Sequence, residues 1–228
     1  MKRRWYIIFV TLGIFVTPPQ ADADEPNYAL RVGAQVGGAW SQRFRAEGEP
    51  GTLTAEYRTG PLFGATAELD LLKSSVIDLA LQIEPSFIQK GTNIHLEGVE
   101  LGGTRMDYFE IPLLLKATHQ ASSKIGVHAL AGAYLDVLID SAELDSMGNV
   151  IPDATEFEYD RLDLGLVAGV GIGFRLSRNV AVSLGVRYEQ GLTNIDDDAG
   201  YSPGRRHRSF LLLLGVDYEL WRSSPTAE

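Results

Sequence analysis

The chain of 228 residues contains no cysteine, which excludes a disulfide framework, a thiolate metal site, a cysteine nucleophile and a lipid attached through cysteine. Beyond the first two dozen residues no stretch approaches 18 uninterrupted apolar residues, so a helical membrane protein is excluded as well. Basic residues are the minority, 20 against 30 acids, for a formal net charge of −10. A surface of that sign is a poor match for nucleic acid, and no nucleic-acid partner is expected. Enzyme signatures are also missing: there is no G-x-S-x-G, no H-E-x-x-H and no P-loop. Gly169, Gly171 and Gly173 alternate along one segment and do not spell G-x-G-x-x-G. The expectation is a protein that is not an enzyme and carries no cofactor and no metal.

What is present starts with a leader. Lys2, Arg3 and Arg4 precede an apolar segment from Trp5 to Val16, Pro18 and Pro19 break it, and Ala21-Asp22-Ala23 offers a small-x-small cleavage site. Residues 1–23 therefore read as a secretory signal peptide. A retained anchor is the alternative, but twelve residues fall short of the roughly 20 that a spanning helix needs. Cleavage would take the net charge from −10 to −12, since three positive charges and one negative leave together.

The remainder alternates with period two, the mark of strands with two unlike faces. Near the end, Phe210, Leu212, Leu214, Val216, Tyr218 and Leu220 oppose Leu211, Leu213, Gly215, Asp217 and Glu219. Val180, Val182, Leu184, Val186 and Tyr188 likewise oppose Ala181, Ser183, Gly185, Arg187 and Glu189. Eight such segments can be counted. Connections between them alternate, short at residues 71–75, 118–123 and 177–178, and long at 41–59, 91–103, 140–158 and 191–206. Short turns on one rim and long loops on the other characterise an outer-membrane barrel, periplasm against exterior.

A soluble lipocalin-like barrel has the same strand count with the apolar face inside, and Gly38-Ala39-Trp40 imitates its G-x-W signature. The charges decide between the two. No Asp, Glu, Lys or Arg falls in the apolar sets, whereas the opposite faces hold Arg31, Glu68, Asp78, Glu84, Glu110, Lys116, Asp136, Asp163, Arg175, Arg187, Glu189, Asp217 and Glu219. A Lys or Arg on the lipid face costs about 2–4 kcal/mol at the midplane. Outward aromatics form two levels, Trp40, Phe63, Phe87, Phe109, Tyr188 and Phe210 above, and Tyr28, Phe174, Tyr218 and Trp221 below. The fold expected is all-β: an eight-stranded antiparallel up-and-down transmembrane β-barrel over residues 24–221, both termini periplasmic, with 222–228 as a periplasmic tail.

Inside such a barrel, Arg31, Lys116, Arg175 and Arg187 are candidates to pair with Glu84, Glu110, Glu189 and Asp217 and close the lumen; a narrow, cation-preferring pore is the alternative. His95, His119 and His207 fall in or beside connections, and His128 points into the lumen as a packed polar residue. In the last loop, Asp196-Asp197-Asp198 lacks the spacing of a calcium site. Arg205, Arg206 and Arg208 could meet lipopolysaccharide phosphates above the girdle, or neutralise that acidic run. Partners expected are outer-membrane lipid and lipopolysaccharide, the barrel-assembly machinery, and an unidentified extracellular or periplasmic protein met by a monomer through its long loops.

Three segments also carry a family likeness. Ile83-Glu84-Pro85-Ser86-Phe87-Ile88-Gln89-Lys90-Gly91 resembles the "QPE…QKG" third strand of the PorT-like outer-membrane β-barrel family. Tyr108-Phe109-Glu110-Ile111-Pro112-Leu113-Leu114-Leu115-Lys116 resembles its "YLEIPLLLK" fourth strand, and Leu184-Gly185-Val186-Arg187-Tyr188-Glu189-Gln190-Gly191-Leu192 its "GLRYxxGL" seventh. The resemblance implies an outer-membrane barrel. The family's members are functionally mixed, some resembling secretion components, so no activity comes with it. The chain departs from the usual aromatic terminus of such barrels, because Trp221 is followed by further residues.

Overall fold

The computed structural model describes residues 29–45, 53–152, 161–193 and 205–223. The signal-peptide segment, Tyr28, the acidic triplet at 196–198 and the end of the tail lie outside the described residues. The rest is strand and turn: β1 (Ala29–Arg45), β2 (Leu53–Leu72), β3 (Asp78–Ile83), β4 (Ser86–Leu96), β5 (Val99–Gln120), β6 (Ile125–Asp145), β7 (Leu162–Arg175), β8 (Val180–Gly191) and β9 (Arg205–Arg222).

Nine strands make eight staves, because β3 and β4 are one stave interrupted at Glu84-Pro85. Pro85 has no N–H to give the ladder. The register is unbroken across the gap, from Ala67↔Ile83 to Gly64↔Ser86 on one side and from Ile83↔Leu113 to Ser86↔Glu110 on the other. Each stave is antiparallel to both neighbours, and β1 pairs with both β2 and β9, which closes the ring. Closure leaves no edge to be desolvated in hydrocarbon.

The two faces follow the sequence alternation. Leu164, Leu166, Val170, Leu184, Val186, Leu212, Leu214 and Val216 stand on the exterior, each between 42% and 57% exposed, while Leu211 and Leu213 between them are 2% and 4% exposed. Phe63, Phe87 and Phe109 are register partners across three staves, and Tyr188, Phe210 and Trp40 across three more, so the upper aromatic level is continuous over neighbouring staves. Phe174, Tyr218 and Trp221 are exposed at the other level.

The long connections are shorter than expected. Residues 91–103 are not a loop: β4 and β5 continue to a two-residue hairpin at Glu97-Gly98, both with positive φ (51° and 83°), as a type I′ turn requires. The strands likewise invade the 41–59 and 140–158 segments, with β6 running to Asp145 before a turn that brings Val150 back to Leu144. A stave needs only about 9–11 residues to cross a membrane, and β5 and β6 have 22 and 21. Their surplus stands as a wall above the aromatic level, and the polar composition of that wall made it look like loop.

The faces yield a direct test. Ser183 lines internal space, and Leu184 beside it lies on the exterior between the aromatic levels. Leu184→Arg should cost about 2–4 kcal/mol of folding free energy in lipid vesicles, against less than about 1 kcal/mol for Ser183→Arg. Equal costs in denaturant titrations would refute the assignment. Leu213 is unsuited as the inward control, because it belongs to a packed apolar cluster.

Candidate functional site

The site with chemical content is the lumen. Inward side chains of β1 mark its levels, from Arg31 at the short-turn rim through Gln35 and Ala39 to Arg43.

At the lowest level Arg31 is the hub. It bonds Glu68, reaches Asp70 at 2.8 and 3.0 Å, and lies 3.8 Å from Glu219. Lys116 holds the other oxygen of Glu68 at 2.6 Å. Asp217 accepts the Thr66 hydroxyl at 2.9 Å, a contact that uses the space left by Gly33, where a Cβ would stand 2.4 Å from the Asp217 carboxylate.

One level up, Glu84 is fully buried at the Pro85 interruption and takes four donors. Arg187 approaches it as a two-pronged clamp, one prong at 2.8 Å. Gln82 and Gln35 add amide N–H groups at 2.6 and 3.1 Å.

Above this pair the lumen is packed. Ala39, Leu62, Ile88, Met106, Tyr108, Leu211 and Leu213 form an apolar cluster. The Lys90 ammonium contacts carboxylates from three staves: Glu110 at 2.9 Å, Asp136 at 2.8 Å and Glu189 at 2.9 Å. It also lies 4.4 Å from the centre of the Tyr134 ring. All four charged side chains are between 0% and 2% exposed. Tyr134 fits because Gly165 faces it, where a Cβ would come within 2.2 Å of the ring. His207, fully buried, sits 3.3 Å from Asp163 and edge-on to Tyr108, and Asp163 accepts the Thr193 hydroxyl at 2.5 Å.

These positions differ from the expected pairing in several ways. Arg187 does meet Glu84, but Glu110 and Glu189 belong to Lys90, and Lys116 and Arg31 belong to Glu68 and Asp70. Arg175 joins none of the lumen acids among the described residues: it is exposed at the short-turn rim, its guanidinium donating to the Ser123 carbonyl at 3.5 Å. Which acid a cation reaches depends on stagger between staves, and alternation alone does not carry it. His207, beside the last long connection, is buried in the lumen, and extending the Ser209–Leu220 alternation two residues upstream would have placed it there. His128 lines the lumen.

Arg206 is exposed above the Tyr188–Phe210 level. Arg208 is held by Gln42 at 2.8 and 3.1 Å, with its guanidinium 5.8 Å from the Tyr57 ring centre. The backbone of Arg205 starts β9, and its side chain lies outside the described residues. Among the described residues no group of His and acids is placed to hold a metal ion; Lys90 supplies the cation that its three acids require.

Comparison with solved structures returns small outer-membrane barrels at low identity. Neisserial surface protein A is 15% identical, with 86% of this chain and 100% of that one covered and a TM-score of 0.47. OprG from Pseudomonas aeruginosa is 12% identical over 86% and 97%, with a TM-score of 0.45. Ail of Yersinia pestis, solved with the heparin analogue sucrose octasulfate, is 12% identical over 83% and 99%, with a TM-score of 0.41. No curated protein sequence matches. The family model described as outer membrane protein beta-barrel domain matches residues 20–197, and the chain belongs to that family of outer-membrane barrels.

Proposed function

We propose that this outer-membrane protein is a closed, non-enzymatic barrel that anchors an exposed wall and its loops for contact with a partner. The observation that carries the reading is the Lys90 cluster. Four charged side chains from β4, β5, β6 and β8, none more than 2% exposed, tie opposite parts of the wall together across the lumen. Beside them the apolar cluster excludes water. A conducting pore would require both to part. Removing one partner from a buried ion cluster leaves uncompensated charge, at a cost of about 3–5 kcal/mol.

The reading extends to orientation and surroundings. The short turns and both chain ends face the periplasm after removal of residues 1–23, with 222–228 as a tail there. The tall β2–β4–β5–β6 wall faces outward. Arg206 and Arg208, exposed or half-buried just above the aromatic level, meet lipopolysaccharide phosphates, with Arg205 beside them in sequence. The segments Ile83–Gly91, Tyr108–Lys116 and Leu184–Leu192 favour placement within the PorT-like branch. The protein works as a monomer inserted by the barrel-assembly machinery.

Planar-bilayer recordings test closure. The wild-type protein should show no steady open state, and Lys90→Ala, which leaves three carboxylates facing one another, should show cation-preferring openings and a loss of about 3–5 kcal/mol in stability. Steady wild-type conductance would refute a closed lumen. Orientation is open to cysteine labelling, since the chain has none of its own. In whole cells a membrane-impermeant maleimide should label Glu97→Cys and spare Ser177→Cys, and the reverse pattern would invert the proposed topology.

A further inference from the structure

The lumen opens at the short-turn rim. From the short-turn rim a cavity of about 120 Å3 leads inward, and a smaller one of about 30 Å3 continues it to Arg187. His128, Lys116, Ser183 and Asp217 wall both. The passage ends where Arg187 clamps Glu84, so it is a vestibule and not a channel.

Charge around this vestibule is unevenly compensated. Glu68 and Asp70 have Arg31, Lys116 and Lys73 as partners; Asp78 has Lys73; Glu219 has Arg222 at 2.6 Å. Asp217 has the Thr66 hydroxyl. On the opposite side of the mouth lie two turns, residues 121–124 and 176–179, that contain no acid at all. They bring Lys124 and Arg178 to the cavity, with Arg175 next to Lys124 through the Arg175 N–H bond to the Lys124 carbonyl at 2.8 Å. None of these three cations has an ion pair among the described residues. Among the described residues, three cations without an ion pair against one acid favour a positive field, and low-dielectric walls focus it at the mouth.

We propose that this vestibule binds a small solute through a phosphate or carboxylate group seated among Lys124, Arg175 and Arg178. The remainder of the solute points inward toward Ser183 and His128. At about 30 Å3 per water, the space suits a head group and a few further atoms rather than a polymer segment. The proposal rests on the closed-lumen reading in one respect: the solute enters and leaves by the same end.

The probe is inorganic phosphate, titrated against full-length protein in maltoside micelles, which bring no phosphate of their own, with chloride at matched ionic strength as reference. Backbone amide signals of Ser183, Arg175 and Asn179 should shift and saturate with phosphate and not with chloride. Lys124→Gln and Arg175→Gln should each weaken binding about tenfold, the usual scale for losing one charged hydrogen bond to an anion. Arg105→Gln, on the tall wall where Arg105 pairs with Asp140 away from both cavities, should leave it unchanged. Non-saturating shifts shared with chloride would overturn the proposal. Shifts confined to the outward Tyr218 and Trp221 would place the phosphate on the barrel's outer surface and overturn it as well. Saturable binding that also blocks a wild-type current would keep the site and refute the closed lumen instead, so the two failures are distinguishable.

Discussion

Hydrocarbon offers no hydrogen-bond partners to a backbone, and the rest of this structure follows from that constraint. Each stave must be paired on both edges, and the pairing of β1 with both β2 and β9 satisfies the last one. Closing the ring with eight staves fixes a lumen just wide enough for side chains. Outward positions must then be apolar, and inward ones must fill a narrow column in which charge is paired wherever water is excluded. The alternation of the sequence, the lumen ion clusters and the inward glycines are three consequences of one requirement.

How the column is filled changes along its length. At the short-turn rim the ion pairs of Arg31 are partly solvated and surround a cavity. In the middle, Glu84 and Arg187 cross from one wall to the other. Beyond them, Lys90 meets three buried carboxylates, and an apolar cluster packs beside it. Gly165 and Gly33 belong to the same solution, because Tyr134 and the Thr66–Asp217 pair occupy the volume that a Cβ would take. Among the described residues the lumen is thus packed toward the tall wall and hollow toward the turns, an asymmetry that a uniform plug would lack.

The faces were legible because lipid imposes the same rule on every stave, and a misplaced charge is expensive. Leu212 and Leu213 could be assigned to opposite sides from alternation alone. The rule lapses where the staves leave the bilayer. Toward the tip of residues 91–103, at 96–99, successive side chains on both faces are exposed, the pattern weakens, and a tall hairpin resembles a loop until its Glu97-Gly98 turn is noticed. Pairing inside the lumen was legible only in kind. Lys90 lies on the inner face by alternation, but its convergence with Glu110, Asp136 and Glu189 depends on the relative stagger of four strands. Arg175 has the same inward parity, yet lies a few residues too close to the rim to reach any of those acids.

The central claim is that Lys90 is locked, dry, between three carboxylates. Nitrogen-detected NMR of lysine side chains in the folded protein tests it most directly. The account predicts one ammonium group whose protons exchange with water slowly enough to be observed at neutral pH, and whose signal disappears in Lys90→Arg. Rapid exchange at every lysine, Lys90 included, would mean that water reaches the cluster and would contradict it.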